Sequence, residues 1–395
     1  MADVRRRNRF LDSCVFVTLR VTWWKASRMR DSMNHRISSW FLNNWYALPS
    51  SPLPRLTRNL LCLGAKLYAI GLHRDQAQAR QRRRQLSAFV ISVGNLVVGG
   101  AGKTPLTLWL ANFLPCIGWN PAILSRGYKR QDAAVARVPL TGPSLQRVLQ
   151  FGDEPVLMAG KANPVPVWVG KDRWQSGSLA IQSDRVDSLI LDDGFQHLAL
   201  ARNLDLVLLD AHNPFGNGEL LPLGPLREPP AHLERADAIV LTRAEDTEKS
   251  RETRSKITEL FPGKPVFSCT HHLKGLSVGL EGQPIPLTAF RGKKAVAFAA
   301  IARPESFYHL LRKAGIGVTR SFTFPDHHQY QEADMAMLMQ AVKESHASFL
   351  ITTEKDMVRL SPDYQTFTLA AVVEIDFHSE HQAFCSFLRE RLPSR

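Results

Sequence analysis

The chain has 395 residues, 44% of them hydrophobic, and a formal net charge of +14. That length buries a substantial core and suits about two domains, while the charge taken alone would suggest a nucleic-acid binder. Its distribution argues against that class: residues 1–84 hold 17 Lys and Arg against 4 Asp and Glu, and the rest of the chain is nearly balanced at 33 against 32, so the positive field belongs to one N-terminal segment and nucleic acid is not an expected partner.

The basic start Arg5–Arg9 is followed by the apolar run Cys14–Leu19, but Asp12 and Arg20 interrupt any signal-peptide core. Because Met29 and Met33 follow, residues 1–32 read as an upstream extension of a natural start. Five cysteines lie far apart without a C-x-x-C pair, which fits a reducing compartment and implies no structural zinc. No apolar run reaches the ~18 residues of a spanning helix.

Over residues 54–73, Leu56, Leu60, Leu63, Leu67 and Ile70 recur at spacings of four and three, one face of a helix flanked by Arg55, Arg58, Lys66 and Arg74 and followed by the basic run Arg80–Arg84. Two readings stand: an interfacial helix with its apolar face in acyl chains and its cations at anionic headgroups, or an amphipathic helix packed on its own domain.

Beyond residue 88, strand-like and helix-like stretches alternate. The segments 89–93, 122–124, 165–169, 189–191, 206–209 and 238–241 read as strands, and a second set runs through 295–299, 349–352 and 371–375, with helices at 304–314 and 381–392. Such alternation predicts parallel sheets covered by helices. The expected division is a basic extension over 1–52, an amphipathic helix and basic linker over 53–84, a nucleotide-binding α/β domain over 85–265, and a C-terminal α/β lobe over 266–395.

The first strand feeds Gly94-Asn-Leu-Val-Val-Gly-Gly-Ala-Gly-Lys-Thr104, a glycine-rich turn of the kind whose backbone N–H groups cradle phosphates. Gly99, Gly100 and Gly102 permit close approach, Lys103 supplies charge to the terminal phosphates, and Thr104 supplies a hydroxyl for magnesium. Val97 stands where the usual G-x-x-x-x-G-K-[ST] pattern has glycine, so only the second half of the pattern is intact. Pro105 sits in the first helical turn, where its missing N–H costs nothing.

Farther on, an apolar strand ends in Asp192-Asp193-Gly-Phe-Gln196-His197, carboxylates at the crevice end of a strand, suited to magnesium directly or through water. Gln196 and His197 are placed to touch nucleotide or acceptor. Asp153 in Gly152-Asp-Glu-Pro155 can deprotonate an alcohol or open a helix. His327 and His328 follow Asp326 in a loop, and a histidine beside an acid can tune or accept protons. Arg126 and Arg227 end predicted strands or loops, where arginines bind phosphate or form surface ion pairs. The run Thr352–Asp356 ends a late strand and is expected to border the nucleotide base.

In Val93-Gly-Asn-Leu, Gly99-Gly-Ala-Gly-Lys-Thr-Pro105, Ser125-Arg-Gly-Tyr128, Gly152-Asp-Glu-Pro155, Asp192-Asp-Gly-Phe-Gln-His197, Pro222-Leu-Gly-Pro-Leu-Arg-Glu-Pro229, Phe324-Pro-Asp-His-His328 and Thr353-Glu-Lys-Asp356, the chain resembles the tetraacyldisaccharide 4′-kinases, which phosphorylate the lipid A precursor of Gram-negative bacteria. The likeness covers most of residues 53–395. It implies a P-loop NTPase-like α/β/α lobe with a mostly parallel sheet and a second, smaller α/β/α lobe, joined by a β-strand hinge. It further implies ATP and Mg²⁺ as cofactors, an acylated glucosamine disaccharide lipid as acceptor, and a monomer peripheral to the cytoplasmic face of the inner membrane. Carried over residue by residue, it makes Asp153 the base with His327 paired to it. Residues Gly99 to Pro105 then hold the nucleotide, Thr104, Asp192, Asp193 and Glu228 handle magnesium, and Arg126, Tyr128, Gln196, His197 and Arg227 line the phosphate and acceptor region. Ala101 stands where the family more often has Thr or Ser, which removes a hydroxyl but no backbone donor. The alternative is a P-loop NTPase switch or metallochaperone-type NTPase, which would hydrolyse nucleotide without lipid.

Overall fold

The computed structural model describes residues 55–393, apart from 129, 133, 143 and 281; the basic extension over 1–52 and the expected start lie outside the described residues. The first element is helix α1 (Arg55–Gln81). It outruns the predicted 54–73 because residues 74–81 are mostly good helix formers without an apolar stripe, so periodicity falls silent while propensity continues. No helix among the described residues is long and apolar enough to cross a membrane.

The first sheet contains β1 (Phe89–Asn95), β2 (Pro121–Ser125), β3 (Ala136–Arg137), β4 (Val167–Val169), β5 (Ser188–Asp192), β6 (Leu204–Asp210), β7 (Ala238–Thr242) and β8 (Val266–Ser268), in the order β3-β4-β2-β5-β1-β6-β7-β8. Every pairing is parallel except that of β3 with β4. Strands covered on both faces carry nearly continuous apolar runs. Ile91, Val93 and Ile190 face the layer that contains α2 (Lys103–Cys116), while Val90, Leu189 and Leu191 face the opposite core. Helices α3 (Ser144–Phe151), α4 (Asp153–Lys161), α5 (Arg173–Asp184) and α6 (Glu248–Leu260) complete this lobe.

The central strands β1 and β5 end together, with Val93 opposite Asp192. Gly94 is required by that closeness: a Cβ there would lie 2.4 Å from Phe195 Cβ and 2.7 Å from its backbone nitrogen. Gly94→Ala must push the strand end and the turn apart, so it is expected to destabilise the protein by about 1–3 kcal/mol, read as a lower denaturation midpoint in urea.

The second sheet contains β9 (Thr270–Val278), β10 (Lys294–Ala299), β11 (Gly317–Thr323), β12 (Phe349–Thr353) and β13 (Thr368–Asp376), ordered β11-β10-β12-β13-β9, with only β9 antiparallel. Helices α7 (Pro304–Lys313) and α8 (Glu332–Glu344) cover it, and a short α9 (Glu354–Met357) follows β12. The three inner strands coincide with predicted ones. Both edge strands, absent from the sequence reading, carry polar residues that water accommodates.

The division at residues 265/266 is corrected by this topology. Strand β8 belongs to the first sheet, so the sheets part at Cys269. The last helix, α10 (His381–Arg391), returns to the first lobe, because its aromatic face is buried there: Phe384 stacks on Phe377 with centroids 4.3 Å apart and meets Phe267 at 5.0 Å and Trp109 at 5.3 Å.

Candidate active site

The phosphate loop leaves β1 and enters α2. Gly102 has φ +81°, and a Cβ on it would stand 2.7 Å from Nε2 of His271 on β9, so neither conformation nor space admits a side chain. The loop's first arm is pinned elsewhere: Val98 N donates to Pro225 O at 2.8 Å, Arg227 N donates to Leu96 O at 2.7 Å, and Val97 is buried against Leu226 and Phe195. That pinning explains a valine where the usual pattern has glycine. Gly99 has φ +117°, and Ala101 turns its methyl group into the core. Pro105 lies in the first turn of α2, as expected.

Lys103 Nζ donates to Asn95 Oδ1 at 3.1 Å and lies 3.4 Å from Asp193 Oδ1. Asn95, fully buried at the end of β1, also donates to Val97 O and accepts at its backbone carbonyl from Gln196 Nε2 at 3.0 Å. It orients both lysine and loop, a role the sequence reading did not give it; the available signal was a polar residue at the end of an apolar strand.

The two aspartates after β5 have different surroundings. Asp193, at φ 53°, accepts from Arg227 Nη1 at 3.0 and 2.9 Å. Desolvation opposes its ionisation, but Lys103 and Arg227 outweigh it and hold its carboxyl well below the usual range. Asp192 is raised, first by burial and then by the Glu154 and Asp193 carboxylates, against the pull of Lys103 and Arg173. Thr107 Oγ1, one turn into α2, donates to Asp192 Oδ1 at 3.4 Å. The charge of Glu154, next to Asp153, therefore acts on the aspartate at the phosphate-loop end.

Asp153 opens α4 and is buried; its Oδ2 lies 2.7 Å from Nδ1 of His327, which comes from the second lobe. Burial opposes its ionisation, yet the His327 hydrogen bond and the charges of Lys355 and Arg359 hold its carboxyl well below the usual range. Lys355 Nζ lies 3.5 Å from His327 Nε2 and donates to Glu154 at 3.1 Å. The segment expected at the nucleotide base therefore supports the Asp153 end instead. Tyr128, exposed, sets its ring 5.7 Å from that of His327. His328 turns to Asp334 at 2.9 Å, so the adjacent histidines do not share a ligand.

Glu228 is enclosed, with Gln76 Nε2 donating at 2.8 Å, His232 Nδ1 at 2.6 Å and Arg235 Nη2 at 2.8 Å. In this arrangement its oxygens accept from these donors and hold α1. Arg126 is exposed at the end of β2. It acts on His197, whose pKa is lowered to about 4 by burial and then by Arg173, Arg202 and Arg126; His197 is therefore a neutral partner. Arg173, buried at the start of α5 with Nε unpartnered, joins this cationic wall and was not singled out from sequence. Among the described residues no group of three or more His, Cys, Asp or Glu forms a preformed metal cage. The hard-oxygen set of Thr104, Asp192 and Asp193 suits an ion that completes its shell with phosphate and water.

A model of the LpxK family, described as tetraacyldisaccharide-1-P 4′-kinase, matches residues 57–393. A tetraacyldisaccharide 4′-kinase from Syntrophobacter fumaroxidans is 49% identical over 353 residues, 89% of this chain and 93% of that one. One from Geobacter metallireducens is 40% identical over 82% of this chain and 95% of its own. A crystal structure of LpxK from Aquifex aeolicus in complex with ATP superposes with a TM-score of 0.67 at 29% identity, covering 85% of this chain and all of that one.

Proposed function

The chain belongs to the tetraacyldisaccharide-1-phosphate 4′-kinase family, and we propose that it moves the γ-phosphate of ATP to the 4′-hydroxyl of that glycolipid with Asp153 as base. The observation that carries the assignment of the base is the 2.7 Å Asp153–His327 contact between the lobes. An ionised carboxylate there can accept the hydroxyl proton as the phosphoryl group arrives, while His327 fixes its orientation. Phosphoryl transfer depends mainly on alignment and charge stabilisation. Lys103 supplies charge at the outer phosphates, and Arg227, released from Asp193, or the Arg126–Arg173 wall supplies more along the cleft. Thr104, Asp192 and Asp193 would hold Mg²⁺, which when bound neutralises charge on the phosphates. The direct test is transfer of label from ATP to a purified acylated disaccharide 1-phosphate, with the product's phosphate located at the 4′ position. Equal nucleotide hydrolysis with and without that lipid would favour the NTPase-switch reading instead.

Membrane attachment at the cytoplasmic face by a monomer is part of the same reading, supported by α1. Leu60, Leu63, Leu67 and Ile70 are between 51% and 62% exposed, on the stripe predicted from spacing. The opposite side holds the helix to the body through Ala65, Gln76 and the Tyr68 hydroxyl, which donates to Arg227 O at 2.9 Å. With about 1.5–3 kcal/mol available per fully buried leucine, the double variant Leu63→Gln, Leu67→Gln is expected to lose vesicle affinity by about 10-fold or more. Its thermal unfolding should not change, since neither side chain is in the core. Undiminished co-sedimentation with vesicles would refute the anchoring role.

A further inference from the structure

A second cationic site lies apart from the phosphate loop, where the chain leaves α1. Residues 84 and 199–201 run side by side, with Arg84 N donating to Ala199 O at 2.9 Å and Ala201 N donating to Arg84 O at 2.8 Å. Two cavities flank this seam, of about 340 and 370 Å³, and Arg83 and Arg202 line both. Arg84 lines the first; Arg80 and Arg235 line the second.

The acids among the lining residues are already engaged. Asp205 pairs with Arg202 at 2.9 Å, and Asp237 accepts from Asp205 N at 2.7 Å and lies 3.6 Å from Arg391. Arg84 is held by Asp172 and stacked 4.2 Å from the Trp174 ring. Arg80 and Arg83 form no ion pair among the described residues. Burial and the charges of Arg235 and Arg83 both oppose the charge on Arg202, while Asp205 favours it. Arg202 is nearly buried and Arg235 largely so, while Arg80, Arg83 and Arg84 are exposed, so together these guanidinium groups make one open recess with a surplus of positive charge. Paired guanidinium forks match the oxygens of a phosphate group, and the volumes leave room for a phosphate together with the molecule that carries it.

We propose that this recess is a binding site for a phosphate-bearing anion, distinct from the nucleotide site. Arg235 connects it to the rest of the molecule. It lines the recess, packs 3.8 Å from the Phe195 ring beside Gln196, and holds Glu228, the residue that clamps Gln76 of α1. An anion seated here draws on a charge that also fixes the helix against the body. The proposal stands independently of the identity of the acceptor lipid.

The chemistry has two possible sources, an anionic lipid headgroup or a soluble phosphate compound, and two arms separate them. The full chain, with its nucleotide site filled by saturating Mg·ADP, is titrated calorimetrically with inorganic pyrophosphate and floated with phosphatidylglycerol or phosphatidylcholine vesicles. The double variant Arg80→Ala, Arg83→Ala removes the two unpaired guanidinium groups. Arg82→Ala removes an equal kind of charge from the adjacent surface, outside the cavity lining. Expected is a loss of about 10-fold or more in binding for the double variant and less than about 2-fold for Arg82→Ala, with kinase turnover in detergent unchanged in both. Saturable pyrophosphate binding identifies a soluble ligand; a phosphatidylglycerol-selective effect identifies a headgroup. No saturable binding in either arm, or equal losses per arginine removed in the double variant and Arg82→Ala, would overturn the proposal, the latter by showing diffuse charge and no built site.

Discussion

Asp153→Asn is expected to lower turnover by about 10²–10⁴-fold while ATP affinity stays within about 2-fold, because Asp153 is engaged with His327 and no nucleotide-loop group. The amide keeps the volume and the cap-like bond to Glu154 N, now 3.0 Å long, but cannot take the alcohol's proton. His327→Asn should cost less, since it removes the orienting group and leaves the base. Combining the two should cost much less than the product of the single losses, because both act on one proton transfer. A double-mutant cycle on single-turnover rates measures this; independent, multiplicative losses would separate His327 from the base.

The pH behaviour follows from the same contact. Asp153 is held below the ordinary carboxylate value of about 3.9, so it is ionised throughout the neutral range and an acid limb of activity near neutrality belongs to another group. A depressed carboxyl contributes stability that is present above its unfolded pKa and is lost as pH falls through its folded one. Wild-type protein should therefore lose this contribution only on acidification below the usual carboxylate range, and Asp153→Asn should show a flatter stability profile there.

How much of this was legible beforehand depended on whether a residue's role is local. The phosphate loop, the strands β1, β5, β6 and β7, and the stripe on α1 follow from composition and spacing within a few residues, and they stand where periodicity put them. The pairing of Asp153 with His327 spans 174 positions; only the resemblance suggested it, because nothing in either neighbourhood encodes the other. Arg173 carries no signal in its own neighbourhood, and Lys355 stands in a run expected at the nucleotide base, since burial and approach to a distant carboxylate are tertiary facts. Glu228 illustrates the reverse case: its motif is recognisable, but the donors that occupy its oxygens come from α1 and from the turn after it, and Gln76 lies 152 residues away. The domain division was displaced because edge strands and a returning C-terminal helix satisfy their packing through partners far along the chain.

Lys103→Ala should produce the other large loss, about 10²–10³-fold in turnover, the scale for removing one group that stabilises developing charge. Unlike Asp153→Asn it should also weaken ATP binding, because an ammonium at the outer phosphates acts on bound nucleotide as well as on the transition state. In the structure Lys103 sits between Asn95 Oδ1 and Asp193 Oδ1 at 3.1 and 3.4 Å, so it must exchange a carboxylate for phosphate when nucleotide enters. Asn95→Ala frees the lysine from its neutral partner and leaves it to Asp193, which predicts a smaller loss in the same direction. Lys103→Arg should not support full activity, since a planar guanidinium is bulkier than an ammonium and would pair with Asp193 side-on beside Arg227. Nucleotide titrations and single-turnover rates on the three variants separate these contributions: a Lys103→Ala enzyme with wild-type turnover at saturating ATP would remove Lys103 from the chemistry and leave it a binding residue alone.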